Sequence, residues 1–141
     1  MAEDKEPQLK ALVVAPESGD RDPLEEFLTQ NGFEVFCRDS RLRSFQLLTI
    51  TQVDVVIVAG DVADASSIEF CRDLRGDAGF QTLPLLIIDE DDDAGSACVE
   101  ALEAGADDFI DAPFIPSVLM ARIKRFLKKK SKTGASSSLS V

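Results

Sequence analysis

Five short apolar runs, each followed by a segment with apolar residues at helical spacing, recur along this chain and leave few folds open to it. The runs fall at residues 12–15, 33–38, 54–59, 83–88 and 108–111. Val55-Val56-Ile57-Val58 is the clearest of them. It is β-branched, continuous and too short for a helix, which marks a strand buried on both faces. The spacing predicts helices over residues 23–31, 40–51, 66–74, 94–104 and 117–130. Their inward positions are Leu24, Phe27 and Leu28; then Leu42, Phe45, Leu47 and Leu48; then Ile68, Phe70, Cys71 and Leu74; and in the last helix Val118, Leu119, Ile123, Phe126 and Leu127. Strand–helix alternation with right-handed crossovers places helices on both faces of one parallel sheet, a doubly wound α/β fold. In such sheets ligands bind beyond the carboxyl ends of the strands, here just after Val14, Val58, Ile88 and Ile110.

The 141 residues suit a single domain, expected over residues 9–130. Residues 1–8 are expected to form a flexible start and the Ser-rich residues 131–141 a disordered tail or linker. The polar, acidic opening lacks the basic and apolar regions of a secretory signal, and no apolar run could span a bilayer. Cys37, Cys71 and Cys98 are odd in number and widely spaced, and the chain has no histidine. A disulfide framework and a zinc site are therefore not expected, and free thiols point to a reducing, cytoplasmic setting.

The net charge of −11 is unevenly spread. Residues 1–111 hold all 26 acidic and 8 of the 15 basic residues, a net of −18, while residues 112–141 hold 7 basic residues and no acid. Such a body repels nucleic acid and anionic lipid, so neither nucleic-acid binding nor membrane contact is expected of it. The basic stretch from Arg122 to Lys132 has three readings: a last helical turn favoured by the helix dipole, a phosphate or lipid contact, or a linker to a further domain.

The residues 102–110, Leu-Glu-Ala-Gly-Ala-Asp-Asp-Phe-Ile, followed by Pro113-Phe114 and Ala121-Arg122-Ile123, resemble the receiver domain of bacterial two-component response regulators. Asn31-Gly32-Phe33-Glu34-Val35 and the strand at 54–58 add to the resemblance, which spans roughly residues 9–130. It implies a flavodoxin-like sheet of strand order 2-1-3-4-5 with five helices. It also implies an activity: an aspartate ending the third strand takes a phosphoryl group. An acidic pair after the first strand holds Mg²⁺, and a hydroxyl and a lysine contact the phosphoryl oxygens.

Carried over position by position, those groups are replaced here. The acidic pair falls on Ala15 and Pro16, the acceptor on Ala59, the hydroxyl on Asp89 and the lysine on Ala112. The resemblance thus implies the fold without the chemistry: a non-catalytic, phosphorylation-independent pseudo-receiver with no catalytic residue, no cofactor and no metal. Glu17, Asp61 and Asp89 are the substitute acids that a phosphoacceptor or cation-sensing alternative would use. Asp89 opens the run Asp89-Glu90-Asp91-Asp92-Asp93, in which Asp92 or Asp93 is expected to cap the fourth helix.

With the chemistry gone, surfaces remain. The resemblance implies a protein partner, or a second copy in a homodimer, at the face of the fourth helix, fifth strand and fifth helix. The candidates are Val99, Leu102, Phe109, Val118 and Arg122. Phe109 has two readings, an anchor at a partner interface or a strand aromatic packed on the last helix. Arg122 with Asp107 and Asp108 resembles the ionic set of receivers that dimerise, although Cys98, Glu100 and Val118 depart from it. The first helix is expected to start late, because Pro23 tolerates only a first-turn position, which leaves 18–20 looped beside the emptied site.

Overall fold

A computed structural model describes residues 8–19, 21–91 and 95–127. Residues 1–7 of the predicted start at 1–8, residues 128–130 of the last predicted helix, the tail at 131–141 and the caps Asp92 and Asp93 lie outside the described residues. Five parallel strands form one sheet: β1 (Lys10–Val14), β2 (Glu34–Arg38), β3 (Val55–Ala59), β4 (Leu85–Asp89) and β5 (Asp108–Asp111), in the order β2-β1-β3-β4-β5. Register follows the apolar runs, with Val13 facing Cys37 on one side and Ile57 on the other. All five residues of β3 are buried, as a central strand covered on both faces requires.

The helices are α1 (Arg21–Gln30), α2 (Arg41–Ile50), α3 (Ser67–Gly76), α4 (Ser96–Glu103) and α5, helical over residues 116–127. Strand alternation divides the core. Leu12, Val14, Val56, Val58, Leu85, Ile87 and Phe109 pack with α2, α3 and α4. Ala11, Val13, Val55, Ile57, Leu86, Ile88 and Ile110 pack with Leu24 and Leu28 of α1 and with Leu119, Met120 and Ile123 of α5.

Several local expectations change. Helix α1 starts at Arg21, two residues before the expected start, so Asp22 and Pro23 lie inside its first turn. That turn is one place where a proline's missing N–H does no harm. Leu42 is exposed, and the inward position in its turn is taken by Ser44, whose Oγ donates to the Ser40 carbonyl (2.7 Å). Val118 is exposed too, one helical step off the stripe of Leu119 and Ile123. Residues 75 and 76 complete α3 rather than opening a loop, and a 3-10 turn follows at Ala78–Phe80.

Candidate functional site

The carboxyl ends of β1, β3, β4 and β5 meet at a cleft of about 380 Å³. Its lining includes Pro16, Ala59, Gly60, Asp89, Ala112 and Pro113. Ala15 is buried beneath it, its N–H bonded to the Arg38 carbonyl (3.0 Å). The N–H of Ala112 donates to the Asp89 carbonyl (3.0 Å), which ties the β5 end to the β4 end. Four of the five positions singled out from the sequence therefore line one cleft, and the fifth supports it. Ser18 and Gly19, expected in a loop beside this site, line it, as does Glu90 of the acidic run, while Gly60 and Pro113 were not singled out as site residues. Their adjacency in sequence to the strand ends was the available signal.

The side-chain chemistry in this cleft is sparse. Alanine and proline supply no donor, acceptor or nucleophile. Asp89 Oδ1 accepts the N–H of Glu90 (2.8 Å). Asp61 is not part of the lining: its Oδ1 accepts the N–H of Ser67 (2.8 Å) at the first residue of α3, a capping role that uses one carboxylate oxygen. Glu17 lines a different hollow, with Arg21, Arg38, Asp39 and Arg43. The substitute acids Glu17, Asp61 and Asp89 are thus not assembled, and among the described residues no three histidine, cysteine or acidic side chains are grouped to hold a metal ion.

On the face of α4, β5 and α5, the side chains of Val99, Leu102 and Val118 are exposed. Phe109 is 9% exposed and sits in the core with Ala101 of α4 and Ala104 at its C-terminal cap, so its ring is a packing residue and not a surface anchor. Arg122 Nη1 donates to Asp108 Oδ2 at 2.7 Å. Asp107 is engaged elsewhere: its Oδ2 accepts from Arg75 Nη2 (3.0 Å) and from the N–H of Leu85 (2.9 Å). The ionic set expected of Asp107, Asp108 and Arg122 is therefore split between two separate contacts within the domain. At the start of α4, Gly95 takes the cap position and Asp91 Oδ1 accepts the N–H of Ala97 (3.3 Å).

The family model described as "Response regulator receiver domain" matches residues 11–124. Response regulator MprA of Mycobacterium tuberculosis is 27% identical over 133 residues, which is 94% of this chain and 56% of that protein. MprA of Mycobacterium sp. strain KMS is 29% identical over 123 residues, 87% of this chain and 52% of that protein. The chain spans about half the length of the curated relatives it matches. Among solved structures, one described as a response regulator from Chloroflexus aurantiacus superposes with a TM-score of 0.81 at 27% identity, covering 86% of this chain and 99% of that one. The signal receiver domain of a histidine kinase from Syntrophus aciditrophicus gives 0.77 at 26% identity, covering 85% and 90%. The match runs from β1 into α5 and takes in every strand end that forms the cleft, so the chain belongs to the response regulator receiver domain family.

Proposed function

We propose that this domain is a non-catalytic pseudo-receiver, which signals in the bacterial cytoplasm by binding a protein partner and does not take up a phosphoryl group. The observation that carries this reading is the lining of the strand-end cleft. Among its described residues the only charged side chains are Asp89 and Glu90, and no lysine or arginine is present. Phosphoryl transfer needs a carboxylate nucleophile beside a bound cation and a positive group on the equatorial oxygens. Ala59 provides no nucleophile, Ala15 and Pro16 no metal ligand, and Asp89 adds negative charge where a phosphoryl group would sit.

Incubation with acetyl phosphate and Mg²⁺ followed by intact-mass measurement tests the reading. An unchanged mass is expected. A stable added phosphoryl group would overturn it, and would favour the alternative in which Asp61 or Asp89 is the acceptor. Thermal shift with Mg²⁺ and Ca²⁺ tests the cation-sensing alternative in the same way. The partner face assigned here is that of α4, β5 and α5, with Val99, Leu102 and Val118 as its apolar contacts and a homodimer as one possible form. A Leu102→Ala, Val118→Ala variant is expected to lose the partner and keep its fold. A second reading, the regulatory domain of a longer response regulator, draws support from the half-length match to the MprA proteins. The mass of the protein isolated from its own cells separates the two.

A further inference from the structure

A second surface, which shares no lining residue with the strand-end cleft or the α4–β5–α5 face, has the wrong chemistry for an idle one. Between the β2 edge and α2 lies a hollow of about 290 Å³ lined by Arg38, Arg43, Gln46, Leu47 and Ile50. Among the described residues no acidic side chain lines this hollow, while Glu17 and Asp39 share an adjoining one with the same two arginines. Of the eight basic residues in 1–111, four (Arg21, Arg38, Arg41 and Arg43) cluster at the starts of α1 and α2 and the end of β2. Arg41 is committed to Asp73 at 2.6 Å. Among the described residues Arg43 meets Asp39 alone, at 4.0 Å, and Arg38 Nη1 donates to a backbone carbonyl, that of Cys37, at 2.8 Å. These two guanidinium groups therefore keep most of their donors free.

The apolar pattern of α2 points the same way. Helix α2 buries Ser44 and leaves Leu42 62% and Ile50 81% exposed. The two lie eight residues apart on the solvent side, flanking Gln46. A helix shaped only by its own core would place these residues the other way round. The Arg38 contact also shields the outward Cys37 carbonyl of the edge strand, which disfavours a partner adding as a further strand.

We propose that the β2–α2 hollow docks an acidic segment of a protein partner, with an apolar anchor against Ile50 and Leu47 and carboxylates on Arg38 and Arg43. Bidentate guanidinium–carboxylate pairing gives the orientation. The acidic remainder of the domain repels the same partner elsewhere and so selects this face. This surface is independent of the face proposed above for partner binding, and either can fail alone.

The test titrates two synthetic helical peptides, one of leucine and glutamate at i, i+4 spacing and one of glutamate and serine, into labelled protein while backbone amide shifts are followed. The first peptide is expected to move the amides of β2 and α2. Arg38→Glu, Arg43→Glu should weaken its binding by about tenfold or more, and Ile50→Ser by several-fold, within the range for truncated interface anchors. Arg72→Glu, an exposed arginine on α3 outside the hollow, should leave it unchanged. Circular dichroism of each variant separates loss of binding from loss of fold. Equal binding of the two peptides, an equal loss with Arg72→Glu, or shifts centred elsewhere would overturn the proposal. Binding of anionic vesicles abolished by the same double variant would assign the surface to lipid. A concentration-dependent dimer dissolved by it would assign the surface to a second copy. Either result also overturns it.

Discussion

At the scale of single residues, Arg75 does more for this fold than its place before a glycine suggests. Its side chain is 16% exposed. Nε donates to the Gly105 carbonyl (2.8 Å), Nη1 to the carbonyls of Phe80 and Leu83 (2.8 Å each) and Nη2 to Asp107. One guanidinium thus holds the end of α3, the 3-10 turn, the entry to β4 and the turn before β5. Gly105 permits this: its φ is +112°, and a Cβ there would stand 2.5 Å from Arg75 Cγ. Arg75→Ala strands three carbonyls and is expected to lower stability by about 2–4 kcal/mol, read by urea unfolding. A loss below about 0.5 kcal/mol, the scale of ordinary surface changes, would contradict the role given to it. The thiols carry a second expectation. Burial pushes Cys71 up to about 12 from an ordinary 9.0, and burial followed by the Glu25 carboxylate pushes Cys37 up to about 11. Both groups are easier to ionise in the unfolded chain. Their contribution is therefore whole below pH 9 and drains away as pH rises toward 11 and 12. Unfolding measured between pH 8 and 11 should show falling stability, and Cys71→Ala should flatten the slope. An unchanged slope would refute the attribution.

At the scale of elements, side-chain caps fix the starts of α2 and α3. Ser66 and Glu69 form a reciprocal capping box, with Ser66 Oγ accepting the N–H of Glu69 (3.1 Å) and Glu69 Oε1 that of Ser66 (2.8 Å). Ser66→Ala is expected to destabilise by about 1 kcal/mol, checked by thermal unfolding against Ser66→Asp, which keeps the cap. Helix α2 depends on a distant partner as well as its own cap. Ser40 Oγ accepts the N–H of Arg43, and Asp64, from the loop after β3, accepts those of Arg41 (2.6 Å) and Leu42 (3.1 Å). These bonds hold the Asp64 carboxyl below its ordinary 3.8. Its contribution is present above that pH and is lost as pH falls further. Amide exchange at the first turn of α2 should quicken in Asp64→Asn, and unchanged exchange would argue against this cross-loop cap. No local pattern announced Asp64, because its role is set by the βα crossover that brings it to α2.

At the scale of the whole molecule, β3 belongs to both halves of the core: Val56 and Val58 face α2, α3 and α4, while Val55, Ile57 and Ala59 face α1 and α5. The halves should therefore unfold together. Probes placed at Phe70 and at Phe27, one on each side, are expected to report one coincident denaturant transition, and two separate midpoints would refute the coupling. The five strands and most of the inward helix positions were legible in the chain, because burial on two faces demands continuous apolar runs and burial on one face demands a helical stripe, whereas the strand order followed from the family resemblance. The residue types at 15, 16, 59, 89 and 112, on which the proposed loss of phosphoryl chemistry rests, were equally legible. Tertiary structure alone decided which of the remaining groups are free to act. Asp61 is spent on α3, Asp107 on Arg75 and β4, and Phe109 on the core, while Leu42, Ile50, Arg38 and Arg43 are left facing outward. The reason is physical: a side chain's type is local, but its hydrogen-bond partners and its exposure are set by elements far away in sequence.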